Sequence, residues 1–243
     1  KRADNVAQVV CSEFTTWYLT KSGELYGCGY GYYGQQGNGS RSDVTTFTKR
    51  ADNVAQIACS TLTTWYLTKS GELYGCGNDT SGQQGNGPSS SSDVTTFTKR
   101  ADNVAQVACA YTTMNDNVNY RMITTWYVTK TGELYGCGNA WYGQQGENIH
   151  PEFMDEGVTS FKKRADNVAQ VICSGQTTWY ITKSGELYGC GYGYYGQQGN
   201  GSTDSVTTFT KRADNVVQVA CVIFGSTTWY VTNSGELYGG GRG

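Results

Sequence analysis

Short alternations of apolar and polar residues, interrupted by glycine turns, run along the whole chain. The stretch Thr15 to Gly29, TTWYLTKSGELYGCG, joins a β-branched and aromatic run to a second apolar run through a Ser-Gly-Glu turn. This pattern is typical of a β-hairpin with glycine where the backbone needs a positive φ. A single hairpin is marginally stable in water, so the copies must stack to bury their faces. The other copies begin at Thr63, Thr124, Thr177 and Thr227.

Two further strands complete each repeat. A glycine-rich loop, Tyr30 to Gly39, precedes a β-branched run, Val44 to Thr48, and the turn Lys49 to Asn53 then leads into an apolar run, Val54 to Cys59. We label the four strands of a blade in order. Strand A is the run that begins at Val54, strands B and C form the hairpin, and strand D is the run that begins at Val44. Four short antiparallel strands per repeat predict an all-β fold, a β-propeller of four-stranded blades. We expect one domain, 1–243, with repeats 1–48, 49–98, 99–162, 163–210 and 211–243, the last ending after strand C.

Only two of the four connections in a repeat vary in length. The step from the turn Lys to the strand A Cys is ten residues in every repeat, whereas the A–B and C–D loops change. The largest change is in the third repeat, whose A–B segment runs from Ala110 to Ile123. Alternate turns of an antiparallel sheet lie at opposite ends, so both variable loops are expected on one face. Recognition by loops on a rigid scaffold is our interpretation, and loop drift without function is the alternative.

The variable loops contain several apolar and aromatic side chains, where drift alone would leave mostly polar ones. The side chains expected to be exposed there and to contact a protein partner, with the third repeat contributing most, are Phe14, Leu62, Tyr111, Met122, Ile223 and Phe224. The predicted partner-binding residues are Glu13, Phe14, Leu62, Tyr111, Asn115, Asp116, Tyr120, Arg121, Met122, Trp141, His150, Phe153, Gln176, Ile223 and Phe224.

The constant turns and the variable loops also differ in charge. The net charge is −2, but the constant turns carry fourteen Lys and Arg against ten Asp and Glu, and the remainder carries four against ten. An acidic variable face steers a basic or neutral partner and repels phosphate backbones, so no nucleic-acid partner is expected. The sequence contains no apolar run long enough for a membrane helix, and no membrane insertion is expected.

The segments NVAQVVCS, TTWYLT, SGELYGCG and YYGQQGNG resemble the repeat of the regulator of chromosome condensation family. The resemblance covers all five repeats and implies a β-propeller, with seven blades in the typical ring, that binds proteins through one face. Thr15-Thr16-Trp17 stands where the family has His-Thr-Leu, and Gly34-Gln35-Gln36-Gly37 where it has Gly-Gln-Leu-Gly. With five repeats we expect a closed five-bladed ring, because an open arc would expose apolar blade faces at both ends. The near-identical repeats look more similar to bacterial or phage surface members, which favours an extracellular, cell-surface or virion location.

Catalytic and cofactor chemistry has little support in the sequence. His150 is the only histidine, and the nearby carboxylates Glu147, Glu152, Asp155 and Glu156 are interpreted as a solvated acidic loop. We therefore predict no enzyme activity and no cofactor. The nine cysteines occupy two framework positions whose strands are separated by strand B, beyond disulfide reach, and no spacing suits zinc. Buried free thiols are expected.

Aromatic side chains in the C–D loops suggest an alternative function. Tyrosine rings beside amides can stack on a sugar ring while the amides bind its hydroxyls, as in a lectin-like adhesin with glycan partners. The residues predicted for this alternative are Tyr30, Tyr32, Tyr192 and Tyr194, whereas Tyr33, Tyr142 and Tyr195 are expected to pack between blades.

Overall fold

The computed structural model describes residues 1–87, 92–114, 117–147, 157–221 and 226–242, with the side chains of 114 and 117–121 excepted. These residues form five antiparallel sheets, four of them with four strands and the last with three, in the order A-B-C-D. The first blade contains β1 (Val6–Cys11), β2 (Thr15–Thr20), β3 (Leu25–Gly29) and β4 (Val44–Ala51). The others follow as β5 (Val54–Cys59), β6 (Thr63–Thr68), β7 (Leu73–Gly77), β8 (Val94–Ala101), β9 (Val104–Met114), β10 (Asn117–Thr129), β11 (Leu134–Gly138), β12 (Val158–Ala165), β13 (Val168–Cys173), β14 (Thr177–Thr182), β15 (Leu187–Gly191), β16 (Val206–Ala213), β17 (Val216–Cys221), β18 (Thr227–Thr232) and β19 (Leu237–Gly241).

The predicted all-β propeller blades are confirmed, with one change at strand D. Strand β4 continues to Ala51, where a turn from Lys49 was predicted, because Lys49 pairs with Tyr26 and Ala51 with Leu25. The connection to strand A is thereby reduced to Asp52 and Asn53. Asn53 has φ +64°, a left-handed conformation that asparagine tolerates better than most residues.

A tryptophan facing a glycine determines the packing inside each blade. Trp17 on β2 is directly opposite Gly27 on β3, and a Cβ added to Gly27 would lie 2.3 Å from the Trp17 Cζ3 atom. The indole therefore lies flat over the glycine. This contact explains why every strand C has glycine at this position, in spite of its low β propensity.

Consecutive blades bury the opposite faces of their sheets against each other. In the second interface Trp65 and Leu73 of one blade pack with Val107 and Tyr127 of the next. Phe161, on strand D of the third blade, completes the cluster, with its ring centroid 6.0 Å from that of Trp65 and 4.9 Å from that of Tyr127. Four such clusters join the five blades in sequence.

The two terminal blades each leave one apolar face open. Trp229 is 48% exposed, whereas its four counterparts are at most 2% exposed, and Val9 on the first blade is 60% exposed. No hydrophobic cluster of the described residues joins the fifth blade to the first. The expected closed ring is thus not observed, and the described residues form an arc whose ends expose apolar surface. No helix of the described residues meets the length and hydropathy that crossing a bilayer requires.

Candidate functional site

Hydrogen bonds tie the A–B and C–D loops together at one end of the blades. The Tyr30 amide donates to the Phe14 carbonyl at 2.9 Å, and the Tyr192 amide donates to the Gln176 carbonyl at 2.9 Å. We call this end the variable face. Its described parts are the A–B loops 12–14, 60–62 and 174–176, the third-repeat segments 110–114 and 117–123, and the C–D loop residues 30–43, 78–87, 92–93, 139–147, 157 and 192–205. The other end, with the B–C and D–A turns, is the constant face.

On the constant face the same ionic contacts recur from blade to blade. Lys49 Nζ lies 2.7 Å from both Glu24 Oε1 and Asp52 Oδ1, and these two carboxylates raise the pKa of the lysine. Lys69 Nζ donates to the Ser22 carbonyl of the preceding blade at 2.9 Å. The equivalent lysines of the following blades make the same contacts, so these side chains are engaged in the framework. Exposed pairs of this kind contribute little stability individually, but they leave fewer cations for a polyanion.

Phe14 and Glu13 lie on the variable face as predicted. Phe14 is 55% exposed, and its ring centroid is 5.7 Å from that of Tyr30. Glu13 is exposed and accepts a hydrogen bond from Thr61 Oγ1 of the next blade at 3.4 Å. Gln176 is half-buried in the corresponding loop of the fourth blade.

The prediction that Leu62 and Met122 are exposed is wrong. They are 4% and 2% exposed, respectively. Leu62 belongs to an interior blade, whose A–B loop packs between those on either side, whereas Phe14 belongs to a terminal blade with one neighbour. Met122 lies within β10 and pairs with the buried Thr112 of β9. Both side chains contribute to the core and are unavailable to a partner.

The third-repeat insertion is a strand extension, where a loop was predicted. Strands β9 and β10 stay paired from Ala110 opposite Thr124 out to Met114 opposite Asn117. The extension packs on the fourth blade, since a Cβ on Gly175 would lie 2.3 Å from Thr112 Cγ2. Tyr111 is half-buried on this extension, and Trp141 is half-buried in the adjoining C–D loop. The predicted residues Asn115, Asp116, His150, Phe153, Ile223 and Phe224, and the side chains of Tyr120 and Arg121, lie outside the described residues.

Two aromatic clusters occupy equivalent C–D loops. In the first, the ring centroid of Tyr30 lies 6.2 Å from that of Tyr32, and the Tyr32 and Tyr33 centroids are 5.0 Å apart. Tyr192, Tyr194 and Tyr195 repeat this arrangement in the fourth blade. Tyr32 and Tyr194 are 56% and 64% exposed. In the third blade, Tyr142 packs on Tyr192 of the next blade at 4.4 Å, the kind of contact predicted for it.

Buried glutamines hold these loops, a role that the sequence did not reveal. Gln83 accepts from the Ser81 amide at 2.8 Å and donates to Asn78 Oδ1 at 2.6 Å. Gln84 Nε2 donates to the Cys76 carbonyl at 2.8 Å. Both side chains are fully buried, as are their counterparts in the other loops. The recurrence of Gly-Gln-Gln-Gly in four repeats could have indicated this role, because the motif forms the rigid base of each of these C–D loops.

The variable face is less acidic than its composition indicates. Asp79 is 1% exposed and accepts from the Gln84 amide and Asn86 Nδ2, both at 2.8 Å. Asp93 forms an ion pair with Arg41 at 2.5 Å. Neither residue adds free negative charge to the surface. Among the described carboxylates of this face, the exposed ones are Glu13, Asp43, Asp204 and Glu147, the last of which forms an ion pair with Arg164.

The described residues contain no cluster of three or more His, Cys, Asp or Glu side chains that could hold a metal ion. The nine cysteines are free thiols. Cys76 and Cys137 on strand C donate to the carbonyls of Gln35 and Gln83 in the preceding blade, at 3.5 and 3.3 Å. Burial raises the pKa of both thiols well above its usual value.

Thiol alkylation should therefore separate the cysteines by position. Cys11, which is exposed at the open end of the arc, should react with iodoacetamide at least about 100-fold faster than Cys76, Cys137 or Cys190, because the thiolate is the nucleophile and burial suppresses it. Time-resolved mass spectrometry of tryptic peptides measures each rate. Equal rates in folded protein would contradict this packing, and urea should abolish the difference.

Comparison with known proteins agrees with this architecture. Residues 6–35 and 54–83 match the family model of the regulator of chromosome condensation (RCC1) repeat. A search of curated proteins gives no match. Among solved structures, human WBSCR16 is 24% identical with a TM-score of 0.74, covering 97% of this chain and 61% of its own.

Saccharomyces cerevisiae Prp20p, described with its binding properties to Gsp1p and histones, is 18% identical with a TM-score of 0.72 and covers 98% of this chain. Yeast RCC1 (Prp20) bound to Kap60 is 18% identical with a TM-score of 0.74. The chain spans about three fifths of the length of these structures, 56% for both yeast ones. Two repeats of the chain thus match the RCC1 repeat model, and the described chain shares the β-propeller fold of these structures.

Proposed function

We propose that the chain is a non-catalytic recognition propeller that binds a protein partner through the variable face. The observation that carries this proposal is the contrast between the two faces. Lysines such as Lys49 on the constant face are held in repeated ionic contacts. The variable face instead presents Phe14 beside Glu13 on an A–B loop whose sequence differs from that of every other repeat, next to C–D loops that are held by buried glutamines. Rigid loops lower the entropy lost on binding, which favours recognition.

The structural neighbours support the same function at a coarse level. Prp20p is described with Gsp1p and histones, and yeast RCC1 with Kap60, so solved propellers of this repeat type bind proteins. RCC1-type repeats are mainly binding or exchange-factor domains. For this chain, exposed Glu13, Asp43 and Asp204 favour a basic partner. An extracellular or surface location, and the carbohydrate-binding alternative centred on Tyr32 and Tyr194, stay predictions.

Site-specific photo-crosslinking tests the proposed face. Benzoylphenylalanine is placed at Phe14 on the variable face or, as the matched control, at the exposed Lys21 on the constant face. Core histones and a small GTPase of the Gsp1p type serve as separate protein probes. We expect a bound probe to crosslink from position 14 and not from position 21, and F14S to weaken its binding. Crosslinking from position 21 alone, or equal crosslinking from both positions, would contradict the proposal.

A further inference from the structure

Lysines of the second, third and fourth blades reach back to the blade before them. Each lysine follows strand B on the constant face and donates from Nζ to a main-chain carbonyl in the preceding B–C turn, at 2.7–2.9 Å. The three pairs are Lys69 with Ser22, Lys130 with Ser70, and Lys183 with Thr131. The lysine stem lies over the glycine after that carbonyl, so a Cβ added to Gly71 would lie 2.7 Å from Lys130 Nζ. The same contact between an ammonium group and a carbonyl therefore closes the first three junctions between blades.

The fourth junction has an asparagine at the position of this lysine. The turn that begins at Thr182 reads Thr-Lys-Ser-Gly-Glu, and the one that begins at Thr232 reads Thr-Asn-Ser-Gly-Glu, so the two differ by one residue inside the repeat. The backbone is the same, because the Asn233 amide donates to the Asn215 carbonyl at 2.7 Å, as the lysine amides do at 2.7–2.8 Å. The shorter Asn233 side chain makes no hydrogen bond among the described residues, and none of these residues donates to the Ser184 carbonyl.

A cavity of about 350 Å³ lies at this fourth junction. Among the residues that line it are Ile181, Thr182, Ser184, Gly185, Val216 and Asn233. The atoms nearest to a Cβ added at Gly185 are backbone atoms at 3.5–3.7 Å, whereas at the three equivalent glycines lysine atoms lie at 2.7–2.9 Å. Lys183 also borders the cavity, but its Nζ donates to the Thr131 carbonyl of the third blade. The cavity therefore lies where a lysine side chain lies at the other three junctions.

The chemistry of this cavity suits a cation that donates hydrogen bonds and carries an alkyl stem. The apolar side chains of Ile181 and Val216 line it, and methylene groups pack favourably against such surfaces. The carboxylates next to the lining residues in sequence, Glu186 and Asp214, both form ion pairs with Lys211, at 2.6 and 2.7 Å. The acceptor for an ammonium group is therefore the main-chain carbonyl, as at the other junctions, and a charged donor strengthens such a hydrogen bond.

We propose that the cavity at Asn233 binds a primary alkylammonium ion with a stem of about four carbons, the length of a lysine side chain. Its ammonium group donates to the Ser184 carbonyl, and its stem lies over Gly185. The three lysine-filled junctions define this ligand, because the same turn there receives the same chemical group. A free amine and a lysine side chain of another polypeptide share this chemistry. The site lies on the constant face, away from Phe14, and is independent of the proposed protein-binding function.

Heteronuclear NMR of the isotope-labelled chain, titrated with n-butylammonium chloride, tests the proposal. We expect saturable shifts of the Gly185, Val216 and Asn233 amides with a Kd on the order of 1 mM, and at least about tenfold weaker binding of the neutral analogue 1-butanol. Nα-acetyl-lysine amide distinguishes the two sources, since equal affinity would extend the site to lysine side chains and weaker binding would assign it to free amines. Absence of saturable shifts up to about 20 mM n-butylammonium, or equal shifts with 1-butanol, would overturn the proposal.

Two reciprocal substitutions locate the site. N233K supplies the lysine of the other junctions, so n-butylammonium should bind at least about tenfold more weakly near Gly185. K130N removes the lysine that lies over Gly71, so a second site should appear there, with saturable shifts of the Gly71 and Val104 amides. The dispersion of the amide signals shows that both variants are folded. Unchanged binding by N233K, or the absence of shifts near Gly71 in folded K130N, would overturn the proposal.

Discussion

W126A should lower the free energy of unfolding by about 3–5 kcal/mol, and W229A by less than about 1 kcal/mol. The two tryptophans hold the same position in strand B, each opposite a glycine of strand C. Trp126 is fully buried between the third and fourth blades, with its ring centroid 5.8 Å from that of Phe209, whereas Trp229 lies on the open face of the fifth blade. Truncation in the interface creates a cavity and removes dispersion contacts, while truncation at the open face removes a side chain that water already reaches.

Urea denaturation followed by far-UV circular dichroism measures both tryptophan variants against the unmodified chain. Analytical ultracentrifugation at the same concentration shows whether the chain is monomeric. Equal losses of stability for W126A and W229A would mean that the face of the fifth blade is covered in solution, contrary to the open arc described above.

A second matched pair tests the contribution of strand D to the interfaces. F161A should cost about 2–3 kcal/mol, because the Phe161 ring contacts both Trp65 of the preceding blade and Tyr127 of its own. Phe47 is its counterpart in the first blade and packs against Tyr18, at a centroid distance of 4.9 Å, with no tryptophan from a preceding blade among the described residues. F47A should therefore cost only about 1 kcal/mol.

Thermal and urea unfolding of the two phenylalanine variants give this comparison directly. A cost for F47A that matches that of F161A would indicate that packing within a blade, and not contact between blades, gives the phenylalanine its effect.

Repetition made the fold predictable from sequence. The constant spacings within the repeat, such as that from Lys49 to Cys59, allowed strands A to D to be located in the sequence. The structure has the strands at these positions, apart from the extension of strand D to Ala51. The positions of strands can be predicted from the local sequence because alternation and turn residues act over only a few positions. Closure of the ring was not predictable in this way. It depends on the angle between blades, which no local pattern encodes.

Exposure in the variable loops was predicted with less success, and for a physical reason. Phe14 and Leu62 occupy the same loop position, yet one is exposed and the other buried, since burial there depends on whether a blade has one neighbour or two. The sequence of the third-repeat insertion predicts a loop because its polar residues do not indicate the continued pairing of β9 with β10. The burial of the glutamines was not predicted, because polar side chains in a glycine-rich loop are usually exposed, whereas Gln83 is buried by bonding Ser81 and Asn78 within its own loop.

The four interfaces between blades share one set of side chains, which a strand D phenylalanine completes in the first three, and this affects how such a chain can change length. Each presents a tryptophan and a leucine from one unit to two aliphatic side chains and a tyrosine from the next. Copying or deleting one unit of about 50 residues therefore brings together surfaces that already fit, without compensating substitutions. The arc can thus be shortened or extended by unequal recombination, while the loops of each retained unit diverge independently.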